Sequence, residues 1–572
     1  MSMDIFVVFR LFLHIWKMEV PVVIFVLMLL QQGTTFDLHE NVKHMSKPSP
    51  HNQDEFGFFV ENNNDAVVKQ LSNENFDTAV STIKFKNDIQ TTGWSHLEVN
   101  TNSLYNNSMQ AYAAGYAEGY VTKDMIDDRI ENELKDFCKT PSIYCTNLNK
   151  YLETNLKYML SMVNSNPYWE QIYYILLQLQ GLEDGYNRQK VDLSIRLKPF
   201  GMFLLNVDGD LESLETALNG TSENVLGSGS CSALIKILPG FKDLYAAHDT
   251  WTTYSSMLRI MKKYTMNFKD AEGKPLPGHT SSFSSGPGRI YSGDDFYILS
   301  SGLVSIETTI GNSNSDLWKY VTPEDSVLEG FRNMAANRMA KNGEEWCEIF
   351  SIYNSGTYNN QWMILDYNKF TPGQKPTEEG LLYLLEQIPG TIEYKDVSNV
   401  FVNQMYWPSY NCPYFKSIFE KSGTAAMEKK YGNWFSYDKT PRALIFARNQ
   451  SQVSDLSHMI KLMRYNNFKH DPLSACNCTP PYSSENTIAA RCDLNPQSGQ
   501  YPIAALGFRN HGATDVKVTS SEMIRKYEMV AECGPTHDQQ PVFVWSESPF
   551  AHLSHRGMPD RYDFEPVHVT WN

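Results

Sequence analysis

The sequence predicts a layered α+β protein. Three observations carry that expectation. Between residues 124 and 190, apolar residues recur at three- and four-residue spacing in IENELKDF, NLNKYLETNLKYMLSMV and YWEQIYYILLQLQGL, the period of helices with one buried face. Farther along, in residues 294–312, FYIL and LVSIETTI flank Ser300-Ser301-Gly302, a hairpin pattern. A helical region is thus followed by mixed strands and helices, an order that lays helices on sheets.

Taken in order, AVSTIKF and WSHLEVNT read as short strands, since β-branched and aromatic residues alternate there with polar ones. MQAYAAGYAEGYVT (residues 109–122) reads as a helix of small residues, in which Gly115 and Gly119 let a neighbouring backbone come close. Asn166-Pro167 starts the last helix of the helical region. Residues 203–230 are acidic and polar, the composition of an exposed connector. WCEIFSIYNSGTYNNQWMILDY (residues 346–367) is expected to be two strands around NSGTYNN, and RALIFARNQ another strand. SVLEGFRNMAANRMA and SQVSDLSHMIKLMRYN are amphipathic helices. The resulting division is 1–35 signal peptide or anchor, 36–206 N-terminal chain of the fold, 207–230 connector and processing linker, and 231–572 catalytic chain.

Hydrophobic residues make up 42% of the 572-residue chain and charged residues 20%, so a large core is within reach and disorder is excluded. A formal net charge of −16 argues against nucleic acid as a partner, which calls for clustered Lys and Arg. The apolar run at residues 20–30, preceded by Lys17, is of signal-peptide length and too short for a comfortable membrane span. Joined with the apolar stretch upstream it reads instead as an anchor, although Arg10, His14 and Lys17 interrupt it; a cleaved signal is favoured and no stable membrane span is expected. Asn106, Asn219, Asn449 and Asn477 each open an N-x-S/T sequon, which agrees with export and glycosylation.

Nine cysteines leave one over if the rest pair. Cys138 and Cys145, seven apart around Pro141, form a plausible local bridge. Cys476, Cys478 and Cys492 cluster, but C-x-C lacks a second ligand pair, so no metal and no cofactor is expected. His511, His552 and His555 lack zinc-site spacing, SSGPGRIYSGDD lacks the P-loop pattern, and no G-x-S-x-G is present.

Parity points to Cys231 as the leftover thiol, although the pairing stays open; it lies in GSGSCSALIK, with a flexible glycine-serine run before it and an apolar element after it. Scission between Ser230 and Cys231 makes it an N-terminus, so that thiol nucleophile and α-amine base share one residue. Seventeen residues on, His248, Asp249 and Trp251 return beside it if the chain runs strand, turn, strand.

NVLGSGSCSALIKILPGFKDLYAAHDTW resembles the signature of the phospholipase B-like family, the group that includes the lamina ancestor proteins. AAGYAEGYVT, YSGDDFYILSSGLVSIETTIGN, NSGTYNNQWMILDY, YWPSYNCPYF, YGNWFSYDKTPRALIFARNQ, FKHDPLS and ALGFRNHGATDVKVTS resemble further family segments, in order, over nearly the whole chain after the signal. The resemblance implies a four-layer αββα N-terminal-nucleophile hydrolase sandwich with additional helices, self-cleavage before Cys231, and a lysosomal or secreted glycoprotein. The implied substrate is a lipid or a small amide: hydrolysis of acyl esters, phospholipids and lysophospholipids by the family name, or of linear C–N bonds by the similarity of the fold to amidases. It assigns Asp249 to holding the α-amine, and His248 and Trp251 to the pocket. Asn359 and Asn360, or the rival Asn312, become amide donors to an oxyanion hole, and Arg442 a cation near the thiolate unless it bridges to Asp438. The competing expectations are a non-catalytic secreted glycoprotein that keeps the fold and, more remotely, a papain-like protease.

Overall fold

The computed structural model describes residues 54–61, 64–71, 78–163, 165–218 and 230–571. The signal or anchor segment, the sequon at Asn219 and the linker from 219 to 229 lie outside the described residues.

Four strands come first: β1 (Asp54–Val60), β2 (Ala66–Gln70), β3 (Ser81–Asn87) and β4 (Trp94–Thr101). Helices α1 (Asn107–Val121), α2 (Lys123–Arg129), α3 (Ile143–Ser161), α4 (Pro167–Tyr186) and α5 (Asp208–Ala217) follow. After the linker come β5 (Cys231–Ile237), β6 (Leu244–Thr252), β7 (Arg259–Thr265), β8 (Thr280–Ser285), β9 (Phe296–Leu299) and β10 (Leu303–Thr309). Helices α6 (Glu329–Met339) and α7 (Gly343–Ser351) lead to β11 (Asn360–Asp366), β12 (Leu382–Ile388), β13 (Thr391–Asp396) and β14 (Tyr406–Ser409). Helices α8 (Pro441–Asn449) and α9 (Leu456–Met463) and strands β15 (Asp515–Thr519), β16 (Met529–Cys533) and β17 (Val567–Val569) complete the main framework.

The strands build two sheets. The larger runs β13-β12-β11-β10-β9-β8-β7-β4-β3-β1-β2, antiparallel except at the β4–β7 pair, and the smaller runs β14-β5-β6-β15-β16-β17. The two meet where β5 contacts β10. Helix α1 lies against β1, β3, β4 and α4, and α9 against β5, β6 and β15. The chain is therefore a mixed α/β protein, as its patterning predicts.

Local chemistry explains the helix starts. Asn106 accepts from the Met109 amide at 2.9 Å, Ser142 from Cys145 at 3.0 Å and Asn166 from Trp169 at 3.2 Å, each satisfying an end amide that the helix leaves open. Helices α1 and α4 cross on glycine: a Cβ on Gly115 would lie 1.8 Å from the Gln178 carbonyl oxygen, and one on Gly181 2.0 Å from that of Tyr112. The close approach expected of Gly115 is thus met by a matching glycine on the partner.

Two expected strands are helices. WCEIFS belongs to α7, where Asn342 caps the start and Trp346, Cys347 and Phe350 fall on one buried face. RALIFARN belongs to α8: Pro441 presets the first turn, and Arg442, Ala443, Ile445 and Phe446 are buried at helical spacing. Both are short apolar runs, which strands and buried helices share. The connector expected over 207–230 starts as a packed helix instead, since α5 buries Asp210 and Leu214.

Cys138 and Cys145 are bridged as expected, and Cys476 bridges Cys478. Cys231, Cys347, Cys412, Cys492 and Cys533 are free and buried, so the parity argument for a single leftover thiol does not hold. The sequon residues Asn106 and Asn477 are exposed and Asn449 is half-buried. Among the described residues no helix is long and apolar enough to cross a membrane.

Candidate active site

Cys231 is the first residue of β5, and the strand-turn-strand return expected of the sequence is the β5–β6 hairpin. Its register sets Cys231 opposite Thr250, Ser232 opposite Asp249 and Ala233 opposite His248. Side chains alternate along a strand, so Cys231, Thr250 and His248 share one face and Asp249 takes the other.

The Ser230–Cys231 peptide is held on several sides. The Ser230 carbonyl oxygen accepts from the Trp251 amide at 2.5 Å. Asn411 Oδ1 accepts from the amides of Ser230, at 3.2 Å, and Cys231, at 3.5 Å. Asn411 sits at φ 63° and is anchored in turn by its Nδ2, which donates to the Thr309 carbonyl at 2.7 Å. Arg442 Nη1 donates to the Cys231 carbonyl at 2.5 Å and to Ser232 Oγ at 3.3 Å, and the guanidinium lies 4.4 Å from the centre of the Trp251 ring. Asp438 accepts instead from Ser436 Oγ at 2.9 Å, so the expected rival bridge to Arg442 is not made.

Cys231 is only 4% exposed and borders a cavity of about 510 Å³. Burial pushes its thiol well above the ordinary range; Glu307 and Asp295 add to that, and Lys517 opposes it. Those neighbours form two buried groups. Tyr358, at φ 49°, donates to Asp295 and, at 3.2 Å, to Glu307 Oε1. Lys517 Nζ donates to Thr250 Oγ1 at 2.7 Å and to Asp515 Oδ1 at 2.6 Å, while Arg259 Nη2 reaches Asp515 Oδ2 at 2.7 Å.

The other expected residues divide. Trp251 borders the cavity and is buried. His248 Nε2 meets the Glu307 carbonyl oxygen at 3.0 Å, and burial depresses its pKa, so it is a neutral core imidazole. Asp249 is buried with neither carboxylate oxygen hydrogen-bonded, and burial raises its pKa, followed by the charge of Asp515. The contact expected of Asp249 with the Cys231 nitrogen is made by Asn411. Asn360 pairs with Thr309, a cavity residue, and its side-chain amide is buried without a partner. Asn359 is also buried with an unpartnered side chain, whereas Asn312 is spent on its own turn with Asn314.

Asn411, Tyr358, Asp515 and Lys517 were missed from sequence. The last two carry a signal: in DVKVT, two charges at alternate positions of an apolar strand must share a face and pair. One group of metal-ligating type occurs among the described residues, Glu485, Cys492 and His511. There Cys492 Sγ donates to Glu485 Oε2 at 2.6 Å, and Arg509 meets the same oxygen at 2.9 Å, an ion pair where a metal would need open ligands.

The family model described as Phospholipase B matches residues 81–569. The chain belongs to the phospholipase B family. It is 50% identical over 507 residues to phospholipase B-like 2 of Bos taurus, covering 86% of each chain. It is 40% identical over 513 residues to phospholipase B-like protein B of Dictyostelium discoideum, covering 87% of this chain and 86% of that one. Among solved structures, penicillin V acylase from Agrobacterium tumefaciens aligns at 10% identity with a TM-score of 0.29, over 53% of this chain and 83% of that one. The family model and these relatives bear out the family assignment made from segments over nearly the whole chain, and with it placement in a hydrolase family.

Proposed function

We propose that this phospholipase B family member is an autoprocessed acyl hydrolase whose nucleophile is Cys231, exposed as an N-terminus by scission after Ser230. The observation that carries the reading is the setting of that one peptide: its carbonyl is polarised by the Trp251 amide at 2.5 Å, and its nitrogen, with the amide of Ser230 before it, is held by Asn411. The thiol sulfur attacks the Ser230 carbonyl carbon, and negative charge gathers on the oxygen that Trp251 N–H already faces. The C–N bond breaks, the thiol proton passes to the Cys231 nitrogen, and a thioester joins Ser230 to the sulfur. Water cleaves it, leaving a Ser230 carboxylate and a free thiol and α-amine on Cys231.

In turnover the α-amine, held by Asn411 Oδ1, takes the thiol proton. The thiolate attacks an ester or amide carbonyl, the leaving alcohol or amine departs with the proton, and water then hydrolyses the acyl thioester, releasing the carboxylic acid and restoring the thiol and α-amine. Asn360 is the side-chain amide donor to the oxyanion, a contribution of about 3 kcal/mol for a well-placed donor. Arg442 braces the Cys231 carbonyl and Trp251. The finer fold reading, a four-layer αββα sandwich of the N-terminal-nucleophile type, is supported by the β5–β10 meeting of two sheets with α1 and α9 packed on them. The lysosomal or secreted setting is supported by the exposed sequon residues Asn106 and Asn477.

The test is N-terminal sequencing and intact mass of purified protein after acidification, beside Cys231→Ala. Wild type is expected to yield a fragment beginning at Cys231 and to release fatty acid from a lysophospholipid or an acyl group from a simple amide; Cys231→Ala is expected to stay whole and inactive. An active chain with the 230–231 bond intact refutes the reading. A processed chain inert on both substrate classes favours the non-catalytic glycoprotein.

A further inference from the structure

The cavity that Cys231 borders has an unusual wall. Of the 23 described residues lining its volume of about 510 Å³, Leu134 is the only aliphatic one. Three arginines and several carboxylates face it, together with the Thr- and Ser-rich run 250–256. The charges are interleaved. Asp208 receives Arg129 Nη2 at 2.8 Å and also Arg289, and Arg259 reaches Asp294. The Nε atoms of Arg259 and Arg289 are buried without hydrogen-bond partners.

A hydrocarbon chain placed here would strip water from guanidinium and carboxylate groups and return nothing. The gain of about 0.8 kcal/mol per buried methylene requires continuous apolar neighbours, and here Leu134 and the rings of Trp251 and Tyr358 are set among charged and hydroxyl groups. Pockets that take apolar ligands are lined mainly by hydrophobic side chains with a few polar groups, whereas most of the described lining residues here are charged, hydroxyl or amide residues. A purely anionic ligand would meet Asp208 and Asp294, and a purely cationic one the arginines. Both signs within one small space are matched by a group that carries both.

We infer that the cavity beside Cys231 binds a hydrophilic, zwitterionic part of the substrate, an ammonium and an anion on one small group, and that any hydrocarbon chain lies outside it. The assignment of this group to a substrate rests on the hydrolase reading; its binding does not. The same chemistry is offered by the headgroup of an ethanolamine phosphoglyceride and by a free α-amino acid moiety.

The experiment is isothermal titration calorimetry on the full glycosylated protein after acid treatment. The probes are glycerophosphoethanolamine, glutamine, glycerol 3-phosphate, ethanolamine and octanoate. At least one of the two zwitterions is expected to bind at least tenfold more tightly than any singly charged probe or octanoate, and which one binds identifies the source. Arg289→Met and Asp294→Asn are expected to weaken that binding tenfold or more, and Arg289→Lys less. Octanoate binding as tightly as the zwitterions, no binding by either zwitterion, or zwitterion affinity unchanged in folded Arg289→Met and Asp294→Asn proteins overturns the inference. Zwitterion binding by a chain that hydrolyses nothing leaves the inference standing and removes the hydrolase reading. Cys231-dependent hydrolysis without zwitterion binding does the reverse.

Discussion

At the scale of single residues, the Ser230–Cys231 bond gathers most of the chemistry. Asn411 is the sharpest probe of it. Its backbone lies at φ 63°, where glycine is at ease, so Asn411→Gly removes the side chain without backbone strain. The expected outcome is a folded precursor that is cleaved at least tenfold more slowly, measured as the half-time for appearance of the Cys231 N-terminus. Cleavage at the wild-type rate would take Asn411 out of the mechanism. How much of the site was legible follows from what each residue depends on. Cys231 was legible because a glycine-serine run before an apolar strand is a local pattern, and Arg442 and Trp251 because they lie in recognisable family segments. Asn411 lies in such a segment too, YWPSYNCPYF, but nothing local there marks its contact with the Cys231 nitrogen, 180 residues away. Asp249 was placed beside Cys231 by nearness in sequence, but strand alternation turns it to the other face.

Among elements, the α1–α4 crossing is the most sensitive contact. Gly115 and Gly119 of α1 face Gly181 and Gly185 of α4 so closely that each added Cβ would lie within 2.2 Å of a partner backbone oxygen. Backbone cannot move aside as a flexible side chain does, so Gly181→Ala must push the helices apart. A loss of about 3 kcal/mol or more is expected, the upper end of overpacking costs, read from the denaturant midpoint. A variant as stable as wild type would mean that the helices already have room to separate. The helices of this region were legible from period alone because they are long and carry their own caps. The segments of α7 and α8 misled because each is short and apolar, and only the partner surface decides between helix and strand.

Across the whole molecule, the larger sheet joins the two sides of the proposed cleavage point. Strands β1–β4 precede it and β7–β13 follow it, welded at the parallel β4–β7 ladder. The two disulfides lie each within one piece. Processed protein is therefore expected to elute as one species in native size-exclusion chromatography and to split into two bands on a non-reducing denaturing gel; dissociation under native conditions would contradict the sheet order. Buried carboxyls also set a pH dependence. Burial raises Glu386 to about 7, Glu532 to about 7 and Asp210 to about 6. A carboxyl whose folded pKa is raised adds stability that is fully present below its unfolded value and lost as pH rises through the folded one. Asp471 runs the other way: burial acts to raise it, but Arg448 and the Leu473 amide outweigh that and hold it at about 2, so its contribution is constant above pH 5. His96, lowered by burial to about 4, and His248 and His511, also lowered by burial, act the other way, losing stability as pH falls. The carboxyl contribution is therefore read by difference: going from pH 8 to pH 5, the melting temperature of Glu386→Gln is expected to gain less, or lose more, than that of wild type, and an identical change in both would refute this. The sequence by itself determined the helical region, the β9–β10 hairpin and the local disulfide, and it singled out Cys231 for the proposed scission, because each is written in neighbouring residues. Which polar groups surround that residue was decided only by the tertiary structure. Strand register and sheet order bring together side chains hundreds of positions apart, and a wall of both charges forms where no local pattern records it.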